Sequence, residues 1–118
     1  MDIQLKRAYD RPENSDGTRV LVDRIWPRGL RKEDAGLDEW LPDIAPSSGL
    51  RKWFNHDPAR WEDFVEKYSR ELDSRGDLVR QLVALAAKGR LTLVFGARDR
   101  EHNNAVVLLG YLRDLQGG

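Results

Sequence analysis

The chain contains no cysteine and only one methionine. Without cysteine there is no disulfide, no thiolate chemistry and no cysteine-based metal site. A charge imbalance is missing too. Twenty Lys and Arg are matched by 20 Asp and Glu, which weighs against a general nucleic-acid binder, because such domains carry a basic excess. No apolar stretch approaches the roughly 20 residues that span a bilayer. Met1-Asp2-Ile3-Gln4 has neither the basic region nor the apolar core of a signal peptide, so the expected address is the cytoplasm. Internal repeats and low-complexity tracts are absent. So are Gly-x-Gly-x-x-Gly, the Walker loop, the Gly-x-Ser-x-Gly elbow, His-x-x-x-His and the EF-hand spacing. The sequence therefore names no cofactor and no metal, and it is silent on oligomeric state.

What is present fits one domain over residues 1–118, long enough for a core without staples. Charged residues make up 34% of the chain and the apolar ones cluster, a globular pattern rather than a disordered one. Two segments carry most of the signal. Val20-Leu21-Val22 breaks into Asp23-Arg24-Ile25-Trp26-Pro27-Arg28-Gly29, and Leu91-Thr92-Leu93-Val94-Phe95 breaks into Gly96-Ala97-Arg98-Asp99. Short apolar runs of this kind read as strands buried on both faces, at 19–23 and 91–95. In a parallel sheet such strands end at a common edge, where ligands bind.

Ile3 to Lys6 alternates like a half-exposed strand. The short link from it to the strand at 19–23 favours a hairpin, since a parallel crossover usually needs a dozen residues or more. Leu37–Leu41 reads as a short helix ended before Pro42. Ser47 or Ser48 caps a helix running to about Phe54. Asp57-Pro58 starts another, with an apolar stripe of Trp61, Phe64, Val65, Tyr68 and Leu72. Gly76-Asp77 opens a helix with Leu78, Leu82 and Leu85 inward, and Gly89 closes it as a left-handed cap. Asn103 or Asn104 caps a last helix, apolar at Val106, Val107, Leu109, Leu112 and Leu115. The order of elements is that of an α/β domain, a small sheet covered by helices.

Arg24 and Arg28 flank Trp26 after one strand; their forked donors suit carboxylate or phosphate. Asp23 ends a buried strand, where a carboxylate needs a partner or a shifted pKa. Ser47 at a helix start and Arg51 one turn in suggest an anion site. Arg98, Asp99, His102 and Asn103 follow the other strand. Asp23, Asp99 and His102 are the candidates for proton transfer. Arg24, Trp26, Arg28, Ser47, Arg51, Arg98 and Asn103 are the candidates for ligand binding. His56 stands at a helix entrance. Two histidines so far apart make a weak metal signal.

Val22–Leu30, Ala45-Pro46-Ser47, Leu50–Pro58, and Ala97-Arg98-Asp99 with His102-Asn103 together resemble the YeaO-like proteins, the short members of domain-of-unknown-function family 488. The resemblance covers nearly the whole chain. It implies a Rossmann-like layer architecture with a mainly parallel sheet, which overrides the hairpin. Some longer relatives resemble cysteine-containing enzymes in the loop after the last core strand; this chain has no cysteine to match them.

Three functional readings follow. The first is a small anionic ligand (phosphate, nucleotide or carboxylate) in an Arg-rich crevice at the carboxyl edge of the sheet, with or without catalysis. The second is nucleic-acid binding, with Trp26 and Trp53 stacking between arginines. The third is a regulatory or interaction domain without chemistry.

Overall fold

The computed structural model describes residues 1–117. Its centre is β4 (Leu91–Phe95), every residue of which is buried. On one side β1 (Ile3–Arg7) pairs with it in register from Ile3–Leu91 to Arg7–Phe95. On the other, β2 (Thr18–Leu21) pairs from Thr18–Leu91 to Leu21–Val94. The two-residue β3 (Glu39–Trp40) pairs with the outer side of β2. The order is β1-β4-β2-β3 and all pairings are parallel.

The hairpin expected between the first two strands does not form. The fully buried β4 takes the place between them, the position that buries most surface. The segment from Ala8 to Gly17 instead returns along the sheet through a 3-10 turn at Asn14–Asp16. Gly17, just before β2, has φ 66°, and a Cβ there would lie 2.2 Å from the carbonyl oxygen of Arg90. Only glycine lets the strand enter so close to its neighbour.

The two faces of the sheet are covered differently. Side chains alternate across a strand, so Ile3, Val20, Val22, Leu91, Leu93 and Phe95 share one face, and there they join the large core cluster. That core is completed by α2 (Ser48–Phe54), α3 (Trp61–Asp73), α4 (Gly76–Lys88) and α5 (Asn104–Gly117). On the other face Leu21 and Val94 pack with Ala8, Trp26, Leu30 and Leu37. Beside them lies a polar group: Asp16 accepts from Lys6, Gln4 and Arg19, and Thr92 donates to the Asp16 carbonyl. Arg19 also donates to the carbonyls of Ala35 and Gly36, at the end of the one-turn α1 (Lys32–Ala35). A cation there suits the negative end of a helix.

Several local expectations are corrected. Leu37–Leu41 is no helix: it holds β3, because Asp38 and Leu41 give their N–H groups to β2 carbonyls. Strand β2 ends at Leu21, although Val22 still donates to Val94. Gly89 ends α4 in extended backbone, not left-handed. On α4 the buried residues are Val79, Leu82 and Ala86, with Leu78 and Leu85 only half-buried. On α5 Leu108 is buried and Leu115 exposed.

The remaining helix signals read as they stand. Ser47 caps α2 by accepting from the Leu50 N–H, and Asp57 accepts from Ala59 before the Pro58–Arg60 turn leads into α3. On α3, Phe64, Tyr68 and Leu72 are buried while Trp61 and Val65 lie at the margin. Among the described residues, no helix is long and apolar enough to cross a membrane.

Candidate functional site

Strands β2 and β4 end side by side, and the chain leaves both in loops that diverge over the sheet edge. A crevice of about 420 Å³ opens there. This lies within the usual size of small-molecule sites, about 300–1,000 Å³. Its floor is Asp23. One carboxylate oxygen accepts the backbone N–H of Gly96 at 2.8 Å, and the other accepts the Asn104 side-chain amide at 3.1 Å. Asn104 also donates to the Val22 carbonyl, so the start of α5 is pinned to the end of β2. Burial pushes the Asp23 carboxyl above the usual carboxylate range, while its two hydrogen bonds and the nearby His56 pull it back.

The walls are largely apolar, with Ile25, Pro27, Pro46, Phe54, Phe64 and Ala97 among them. The basic groups come from three segments. Arg28 reaches the crevice from the loop after β2, Arg51 from α2, and His56 from the turn after α2. Asn55 and His56 both hold left-handed backbone, at φ 47° and 53°. This sharp turn ends α2 and brings His56 to the crevice before the Asp57 cap begins the next helical segment.

Among the described residues, neither Arg28 nor Arg51 forms an ion pair with a carboxylate. Both side chains belong to exposed residues. The backbone of Arg28 is fixed instead, because the Tyr9 hydroxyl donates to its carbonyl at 2.6 Å.

His102 closes the far side. Its Nδ1 lies 3.0 Å from Asp99 Oδ2, and its backbone N–H donates to Asp99 Oδ1. The N–H groups of Glu101 and His102, together with the ring, hold Asp99 below its ordinary pKa. The ring stands edge-on to Trp61, with centroids 5.1 Å apart. With Nδ1 held by Asp99, Nε2 is the ring nitrogen left for the crevice.

Of the residues singled out from sequence, Asp23, Arg24, Trp26, Arg28, Arg51, His102 and Asn103 all line this one crevice. Three others do not. Asp99 stands behind His102. Arg98 is exposed and outside the lining. Ser47 faces α3, where its N–H and hydroxyl both donate to Glu71 at 2.8 and 2.6 Å. That carboxylate already takes the Ser47 donors at the start of α2.

Arg24 lines the crevice but its guanidinium is used: it donates to the carbonyls of Ala45 and Pro46 and lies 3.6 Å from Asp43. Asn103 is the N-cap of α5, accepting from Val106 and donating to Asp99. Trp26 gives its indole N–H to the Leu30 carbonyl and stands edge-on to Trp40. Trp53 lies against Arg60 and Lys67, away from the crevice.

Sequence reasoning did not place His56, Asn104 or Tyr9 in the site. The Asn55-His56 pair ahead of Asp-Pro was the available signal, since Asn tolerates the left-handed turn that swings His56 inward. Nothing local marks Asn104 or Tyr9; their roles come from partners far away in the chain. Among the described residues, no group of three or more His, Asp or Glu is arranged to hold a metal ion.

Comparison with known proteins sets this geometry in a family. The chain is 45% identical to the uncharacterised protein YeaO of Escherichia coli, over 98% of this chain and all of that one. It is 39% identical to the uncharacterised proteins Mb3100c of Mycobacterium bovis and Rv3073c of Mycobacterium tuberculosis, over 90% of this chain and 89% of each of them. No solved structure matches it. The model of the inactive DUF488-N3 subclade matches residues 2–116. The chain is thus a YeaO-like member of the DUF488 family and belongs to its inactive DUF488-N3 subclade.

Proposed function

We propose that the crevice binds a small anionic ligand, a carboxylate, phosphate or nucleotide, and holds it without converting it. One observation carries this reading. Arg28 and Arg51 line the same concave, apolar-walled space without a carboxylate partner among the described residues. In this chain most arginines near an acid pair with it, as Arg19, Arg24 and Arg100 do. Two unpaired guanidinium groups beside one cavity supply forked donors for an anion, and low-dielectric walls strengthen the attraction. His56 and His102 line the same crevice and add donors to it. Binding without turnover agrees with the subclade's description as inactive and with the absence of any cysteine nucleophile. The protein would do this work in the cytoplasm, as a sensor or carrier rather than an enzyme.

The Asp99–His102 pair favours a second reading. A carboxylate holding Nδ1 leaves Nε2 able to take a proton, as a general base must. In that case the bound anion is also a substrate for proton transfer.

The test is a thermal-shift titration with phosphate, simple carboxylates and nucleotides on the wild type, Arg28→Ala and Arg51→Ala. The expected result is stabilisation of the wild type by at least one class, reduced in both variants and weakened by salt. Equal response of all three proteins to every anion would reject the reading. Chemical change of a stabilising ligand on incubation, lost in His102→Ala, would move the choice to the second.

A further inference from the structure

We propose that the ligand of this crevice is bipolar: an ammonium end seated on Asp23, an anionic end held by Arg28 and Arg51, and an apolar body between them. This rests on the binding role of the crevice argued above and goes on to name the class of molecule. The first ground is that the crevice carries unmatched charge of both signs. Asp23 forms no ion pair with any Lys or Arg among the described residues, and its only partners are two neutral donors, the Gly96 N–H and the Asn104 amide. A carboxylate has about four lone-pair positions, so room for a further donor remains.

A half-buried carboxylate without a Lys or Arg partner is costly, and three arginines of the same crevice do not take that place. Arg24, the very next residue, turns away to Asp43 and to two carbonyls. Arg28 and Arg51 line the same space yet leave Asp23 without an ion pair. An anion alone would satisfy the arginines but add repulsion at Asp23. A cation alone would do the reverse. A molecule with both ends satisfies both.

The second ground is the apolar lining that the charges share. Phe54, Phe64, Pro27 and Pro46 line the crevice. That surface suits an aliphatic or aromatic body better than a second polar group. An α-amino acid with an apolar side chain, or a compound of the same plan, has this shape. His56, the titratable neighbour whose charge bears on Asp23, would then stand beside the ammonium end.

A matched set of probes tests the idea: hydrocinnamate, which has the anion and the apolar body; phenethylamine, which has the cation and the body; and phenylalanine, which has all three. Calorimetric titration of the wild type needs no variant. Phenylalanine should bind roughly tenfold or more tighter than hydrocinnamate, the gain expected of a charged hydrogen bond. In Asp23→Asn that advantage should vanish while hydrocinnamate binds as well as before or better. Equal binding of phenylalanine and hydrocinnamate by the wild type would overturn the bipolar ligand and leave the anion site standing. Failure of every probe, together with failure of phosphate and nucleotides, would instead remove the anion site itself and this inference with it.

Discussion

Asp16 and Arg19 form an ion pair with both side chains almost wholly removed from water, Oδ2 to Nη1 at 2.7 Å. Burial pushes Asp16 up, but the Glu13 N–H, Lys6 and Arg19 outweigh it, and the carboxyl sits below its ordinary value. Removing one member of such a pair leaves the other buried and unmatched. Asp16→Ala should therefore cost about 3–5 kcal/mol, measured by urea unfolding. A loss as small as that of an exposed pair would show that Arg19 finds other acceptors without strain.

The α3 stripe separates central from marginal positions. Phe64 is 2% exposed and stacks on Phe54 with centroids 4.2 Å apart. Phe64→Ala should cost about 3–5 kcal/mol through the cavity it leaves. Trp61, half-buried beside His102, should cost clearly less when truncated. The reverse order of melting temperatures would place the packing centre at Trp61 rather than at Phe64.

Tyr68 is fully buried and its hydroxyl donates to the Ile44 carbonyl at 2.6 Å. Tyr68→Phe keeps the ring and deletes the donor, leaving a buried carbonyl unpaired. The expected cost is about 1–3 kcal/mol. An unchanged midpoint in urea would mean that water reaches Ile44.

Gly17→Ala should destabilise by more than about 1 kcal/mol, because its positive φ and the contact with the Arg90 carbonyl act together. Gly49→Ala, at a helical position with open space around it, serves as the control and should be neutral or slightly stabilising. Similar melting temperatures for the two variants would contradict the close approach at Gly17.

Two carboxylates should tilt the stability profile in opposite senses, one below and one above the ordinary aspartate value. The Arg100 guanidinium holds Asp10 down at about 2 against an ordinary 3.8. The folded state then binds fewer protons than the unfolded one in that window, so the stability Asp10 contributes is present above 3.8 and lost as pH falls towards 2. Asp23 works in the opposite sense. Its raised value means that the folded state binds more protons, so stability is lost as pH rises from 3.8 through the folded pKa. Melting curves should show Asp23→Asn gaining on the wild type as pH rises through that range. Asp10→Asn should lose most of its disadvantage near pH 2. Parallel curves for wild type and Asp23→Asn would deny the burial of that carboxyl.

The central strands, the Ser47 cap, the Asp57 start and the α3 stripe were legible because each is written in neighbouring residues. The crevice was legible to the extent that it lies at two strand ends, which brought Asp23, Arg28 and His102 to one place. What could not be read depends on pairings distant in the chain. Glu71 takes the Ser47 donors from 24 residues away. The pairing of β3 rests on β2 carbonyls rather than on the Leu37–Leu41 pattern. The hairpin failed because loop length limits how two strands can pair but does not reveal a third strand inserted between them.

The position of β4 also sets an order of events during synthesis. Until residues 91–95 leave the ribosome, β1 has no strand to pair with and β2 has only the two residues of β3. Helices α2, α3 and α4, from Ser48 to Lys88, are made before the strand they pack against exists. The growing chain therefore carries Val20, Leu21 and Val22 without their lasting partner while 68 further residues, 23–90, are added. The sheet can be completed only then, and a chain cut before Leu91 would lack the Gly96, Ala97 and His102–Asn104 side of the crevice.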